Sequence, residues 1–139
     1  MIMSGKLSGK IDGELITREF FPQFVGSENR INCGHCYFWA YVAYKLYEDV
    51  QLMSNDNHAF LYQRGEYFDA EAPYGEETMD YLRSNVFWAH ENTFIEEDMD
   101  VDEFINYWDS NGRYEFSFDK INELDEKIED FLCRHFDRG

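Results

Sequence analysis

The apolar positions of this chain change their period along its length, and each change predicts an element. From Cys36 to about Tyr47, Ala40, Ala43, Tyr44 and Tyr47 recur every three or four residues, with Tyr37 and Tyr41 on a neighbouring stripe, which predicts a helix. Polar Ser54-Asn55-Asp56-Asn57 then breaks the pattern. Residues 58–63 and 66–70 read as two strands joined at Arg64-Gly65 in a hairpin. A two-residue turn there pairs Gln63 with Glu66, hence Phe60 with Asp69 and His58 with Glu71. That register places His58, Asp69 and Glu71 on one face.

The remaining segments are shorter. Residues 1–13 carry three glycines and read as a loose N-terminal arm or an edge strand. Residues 14–25 look like a short helix or turn interrupted by Pro22. Gly26 to Gly34 reads as a polar loop. Glu76–Leu82 reads as a short helix, Asn85–Ala89 and Arg113–Phe116 as strands, and Val101–Trp108 as a helix. The last helix is the clearest. Ser117 is a good N-cap and Phe116 can staple to Ile121, after which Ile121, Leu124, Ile128, Phe131 and Leu132 form a stripe to be buried, with Cys133 read as core. Helices mixed with hairpin strands predict an α+β fold: a helix bearing cysteine on a small antiparallel sheet bearing His and Asp, with additional C-terminal helices.

Composition narrows the class. At 139 residues, without an internal repeat or a Pro/Ser-rich linker, residues 1–139 read as one domain. The 13 Phe, 10 Tyr and 3 Trp supply the core that a disordered chain of this charge would lack. The net charge of −17 argues against direct binding to nucleic acid or an anionic membrane, which are themselves negative. It leaves open an acidic face that binds and inhibits a basic protein partner, or that imitates nucleic acid. No apolar run approaches a membrane span, and residues 1–13 lack the apolar core of a secretion signal. Three cysteines do not make a disulfide framework, so a reducing cytoplasm is the expected compartment.

The candidate chemistry sits at residues 32–44. If a helix begins at Cys36, its thiol lies on the first turn, where unsatisfied N–H groups and the positive end of the helix dipole favour the thiolate, the nucleophilic form. The same N–H groups could hold an oxyanion, and Gly34 lets a substrate approach closely. A nucleophilic cysteine needs a base, and the base an orienting group. Among four histidines, His58 opens the strand after the helix, and Asp69 is a carboxylate in an otherwise apolar strand, where it needs a partner. Glu71 is the alternative orienting carboxylate. His35, His90 and His135 read as ordinary polar or packing residues.

Gly34-x-Cys36-x-x-x-Ala40 before a helix, His58-Ala-Phe at a strand start and Tyr67-Phe68-Asp69 on the next strand together resemble the papain-like and transglutaminase-like thiol superfamily over residues 30–72. Cys33-Gly-His-Cys36-Tyr also resembles the segment around the papain nucleophile, where the second cysteine reacts. The resemblance implies a Cys36-His58-Asp69 triad performing acyl transfer on a protein or peptide substrate: hydrolysis of a peptide, isopeptide or amide, or transamidation. It implies no cofactor and no metal. For an oxyanion-hole side chain, Gln23 and Asn32 are the candidates, with Gly34 and Cys33 flanking the nucleophile.

Rival readings use the same residues. Cys33-Gly-His-Cys36 also matches the Cys-x-x-Cys of thioredoxin-like oxidoreductases, with Pro73 in place of their proline, but residues 26–32 are polar where that fold needs a buried strand. A zinc site from Cys33, His35, Cys36 or His58 lacks a second ligand pair. The acidic run Glu96, Glu97, Asp98, Asp100 and Asp102 lacks the glycine and spacing of a calcium loop.

Overall fold

The computed structural model describes residues 5–26, 31, 35–54, 59–77, 102–103, 105–106 and 118–138. Helix α1 (Gly13–Phe20) starts at Asp12, whose Oδ1 accepts the Leu15 amide at 3.2 Å, and carries Glu14 in its first turn and Arg18 in its last, both complementing the helix dipole. It stops before Pro22, which opens a 3₁₀ turn, Pro22–Phe24, as the proline rule predicts. Helix α2 (Cys36–Leu46) is the centre of the molecule: Cys36 through Ala43 and Leu46 are all buried, and Trp39 Nε1 donates to Thr17 Oγ1 of α1 at 3.0 Å.

Strands β1 (Gln51–Ser54), β2 (Ala59–Gln63), β3 (Glu66–Asp69) and β4 (Ala72–Glu76) follow as an antiparallel meander in the order β1-β2-β3-β4. The fold is therefore α+β. Period-two alternation separates the two sheet faces. Leu52, Leu61 and Phe68 stand opposite one another and join the α2 core, whereas Met53, Phe60, Tyr62 and Tyr67 form a second cluster on the other face. The β2–β3 turn is Arg64-Gly65 and pairs Gln63 with Glu66, the register expected from sequence. Both turn residues have positive φ, 50° and 91°, as a type I′ turn requires. Arginine is a costly choice there, and its guanidinium is held by Asp49 Oδ2 at 2.7 Å.

Helix α3 (Phe118–Arg138) packs on α2 through the expected stripe, with Ile121, Ile128 and Leu132 buried and Leu124 and Phe131 partly so. Tyr41 of α2 donates its hydroxyl to Asp125 Oδ1 at 2.6 Å, fixing the two helices. Burial, and then the Asp125 carboxylate, hold the Tyr41 hydroxyl above its ordinary pKa, and burial does the same for Tyr47. An unfolded tyrosine ionises near pH 10, so above about that pH the unfolded chain has released protons that the folded chain keeps, and stability falls as pH rises. Tyr41→Phe should flatten part of this alkaline loss. Urea midpoints measured between about pH 9 and 11 check it; a slope identical to the parent would assign the loss to other groups.

Three expectations need correction or refinement. Of the two readings of the N-terminal segment, a loose arm or an edge strand, residues 5–12 fit the second better, with an isolated parallel bridge between Leu7 and Tyr47. The Leu7 amide donates to Leu46 O at 2.7 Å, the Glu48 amide donates to Leu7 O at 3.0 Å, and Leu7 and Ile11 are buried. Gln63 secures it further: Oε1 accepts the Ile11 amide at 2.9 Å, while Nε2 donates to Gly9 O at 2.9 Å and Glu48 O at 3.0 Å. Glu76 closes β4 instead of opening a helix, because Ala72–Glu76 pairs with β3 despite Pro73 and Gly75. Cys133 is exposed, since it lies one step around α3 from buried Leu132. Residues 78–82, Asn85–Ala89, Arg113–Phe116, Ser117 and the acidic run before Asp102 lie outside the described residues. Of Val101–Trp108, Asp102, Glu103, Ile105 and Asn106 are described and helical.

Candidate functional site

Cys36 occupies the first position of α2, after His35 as N-cap. The His35 side chain makes no cap hydrogen bond; its ring packs tilted against Phe24 and Phe38, with centroids 5.0 and 6.1 Å away. Position at a helix start favours negative charge through the helix dipole. The thiol is free and buried, with 4% of the residue exposed. Its sulfur accepts a hydrogen bond from the Ala59 amide at 3.4 Å, across 23 residues of sequence. Ala59 opens β2, and its nitrogen is bonded to the carbonyl carbon of His58. The fold therefore brings the cysteine-bearing helix start to the residue that follows the proposed base. His58 itself lies outside the described residues, as do Asn32, Cys33 and Gly34.

Asp69 ends β3 and is 1% exposed. A carboxylate among apolar neighbours needs a partner, and backbone amides supply it. Its Oδ1 accepts the amides of Glu71, at 2.9 Å, and Ala72, at 2.8 Å, which closes the β3–β4 turn. Phe68 and Ala70 on either side belong to the α2 core, so alternation gives Asp69 the face of Phe60 and Tyr67. Cys36 is in the α2 core with Ala59, Leu61 and Phe68. Cys36 and Asp69 are thus not side by side: the sheet lies between their faces. Glu71 sits half-buried in the turn that Asp69 caps.

Gln23 is placed elsewhere. It lines a surface cavity of about 190 Å³ between the 3₁₀ turn, the start of α2 and α3, and Cys36 is not among the lining residues. The residue that sequence reasoning missed is Ala59, whose contribution is a main-chain N–H that no side-chain pattern reveals. Among the described residues, no group of three or more His, Cys, Asp or Glu side chains could hold a metal ion. No helix of the described residues is long and apolar enough to cross a membrane.

Comparison of the chain with protein-family models, with curated proteins and with solved structures finds no match.

Proposed function

We propose that the chain is a cysteine-dependent acyl-transfer protein in which Cys36 is the nucleophile and His58 the base. The observation that supports this reading is the Ala59 amide on the Cys36 sulfur at 3.4 Å. Ala59 follows His58 in sequence, so this contact brings Cys36 to the main chain next to the proposed base. The sulfur also stands at a helix start and accepts a donated N–H from Ala59. In the proposed reaction the Cys36 thiol transfers its proton to the His58 imidazole and attacks a carbonyl carbon. The imidazolium returns that proton to the departing amine, leaving a thioester that water or a second amine resolves. The first-turn amides of α2 face the developing oxyanion. Asp69, on the sheet face opposite Cys36 and with Oδ1 engaged by the turn, is the less favoured orienting carboxylate, and half-buried Glu71 in that turn is the alternative. A protein or peptide amide is the substrate class, and a cytoplasmic setting fits a chain with an odd number of cysteines.

Exposure alone would make Cys133 the faster thiol, because it is open to solvent whereas Cys36 is buried. Activation predicts the reverse order. Brief iodoacetamide treatment at neutral pH, read by mass spectrometry, should modify Cys36 ahead of Cys33 and Cys133. Labelling of Cys133 first would remove the case for an activated nucleophile.

A further inference from the structure

The cavity that Gln23 lines is not used by the thiol chemistry, and its lining has two characters. Phe20, Phe38 and Leu124 give it an apolar floor, and Glu123 and Lys127, one turn apart on α3, put opposite charges on one wall. Neither charge is engaged: among the described residues Glu123, Lys127 and Gln23 make no hydrogen bond or ion pair. The α3 spacing of four residues normally pairs such side chains with one another. Here both heads border the cavity and remain available to an occupant.

Size limits that occupant. A cavity of about 190 Å³ is smaller than the roughly 300–1,000 Å³ of sites for drug-sized molecules. It suits a single amino-acid-sized group. A second, smaller cavity of about 80 Å³ shares Phe20 and Lys127 and is also lined by Asp130 and Arg134. We propose that the larger cavity binds a zwitterionic amino acid with a large apolar side chain. The ring lies on Phe20, Phe38 and Leu124, the α-carboxylate meets Lys127, the α-ammonium meets Glu123, and the Gln23 carboxamide completes the rim. Cys36 does not line the cavity, although its neighbour His35 does, and binding is tested without reference to the thiol reading.

The same chemistry could come from a free amino acid or from either end of a peptide, and three probes separate these sources. Phenylalanine carries both charges, N-acetylphenylalanine only the carboxylate, and phenylalanine amide only the ammonium. Titration of the full chain, followed by amide chemical shifts, should show phenylalanine binding with a dissociation constant near about 1 mM. The shifts should centre on Phe20, Phe38 and Leu124, and alanine, with the charges but no ring, should not bind. Each derivative should bind about threefold to fivefold more weakly, the worth of one exposed ion pair. Lys127→Gln, on an exposed position, should weaken phenylalanine and N-acetylphenylalanine by that factor and leave the amide unchanged. No shifts by about 10 mM phenylalanine, binding of alanine as strong as that of phenylalanine, or a Lys127→Gln effect equal for all three probes would overturn the proposal. A derivative that matches phenylalanine would overturn its two-ended form.

Discussion

Replacing Cys36 by serine should abolish acyl transfer, whereas replacing Cys33 by serine should leave it largely intact. In an acyl-transfer site one sulfur attacks and the other is a bystander. In a dithiol redox site both are required, because the second thiol resolves the mixed disulfide made by the first. His58→Ala should cost at least about 100-fold, the low end for losing a general base. Asp69→Asn is the informative partner because asparagine keeps Oδ1 as an acceptor for the Glu71 and Ala72 amides. It removes the charge and preserves the turn, so a loss of rate there reports orientation of the imidazole instead of unfolding. That loss should be smaller than for His58→Ala if Glu71 shares the task. The four variants should be assayed on acyl and isopeptide substrates beside an insulin-reduction test. Insulin reduction lost equally in Cys33→Ser and Cys36→Ser would install the thioredoxin-like reading. Inactivity of the parent in both assays would move the function to the acidic surface and a basic protein partner.

The second large effect is structural. Gly13→Ala should lower folding stability by about 3 kcal/mol, near the top of the usual range for overpacking. A Cβ at Gly13 would lie 2.5 Å from the Pro73 Cα and 2.8 Å from its carbonyl oxygen, and those are backbone atoms that cannot rotate aside. Alanine is the better helix former by roughly 1 kcal/mol, so propensity alone predicts the opposite sign. The clash outweighs that gain. Gly5→Ala, where nothing lies within 4 Å, is the control and should be near neutral. Urea denaturation of the two variants decides the matter. Parent-like stability in Gly13→Ala would mean that α1 and β4 do not meet as described.

Much of this fold was legible because the elements that carry it follow one rule each. Helix α3 has a clear apolar stripe, α2 is a nearly unbroken apolar run long enough for a helix, and the β2–β3 hairpin has alternation on both sides of Arg64-Gly65. β1 and β4 were not legible, for different physical reasons. β1 has only Leu52 and Met53 as apolar residues, and they are buried on opposite faces, so it shows no stripe. β4 carries Pro73 and Gly75, both unfavourable in strands, and an edge position in the sheet tolerates them. At the site, the sequence located the thiol at a helix start and the carboxylate at the end of a strand. Gln23 follows Pro22 in the 3₁₀ turn and lines a cavity with residues of α2 and α3, a position that no residue pattern reveals. The backbone duty of Asp69 Oδ1 was hidden as well, because nothing in a residue pattern says whether a buried carboxylate is held by a side chain or by two amides.

The Gln63 side chain has a consequence for the order in which the chain assembles. One carboxamide ties Gly9, Ile11 and Glu48 to the end of β2, and the link to Ile11 spans 52 positions of sequence. The meander needs only neighbouring strands, but these bonds form only after the hairpin and the α2–β1 connection are in place. Closing so long a loop comes late in folding, since its entropic cost precedes any contact that repays it. The Ile11 amide should consequently exchange its hydrogen with solvent at the rate of the β2 core instead of at the rate of a chain end. The N-terminal segment then belongs to the same cooperative unit as the sheet.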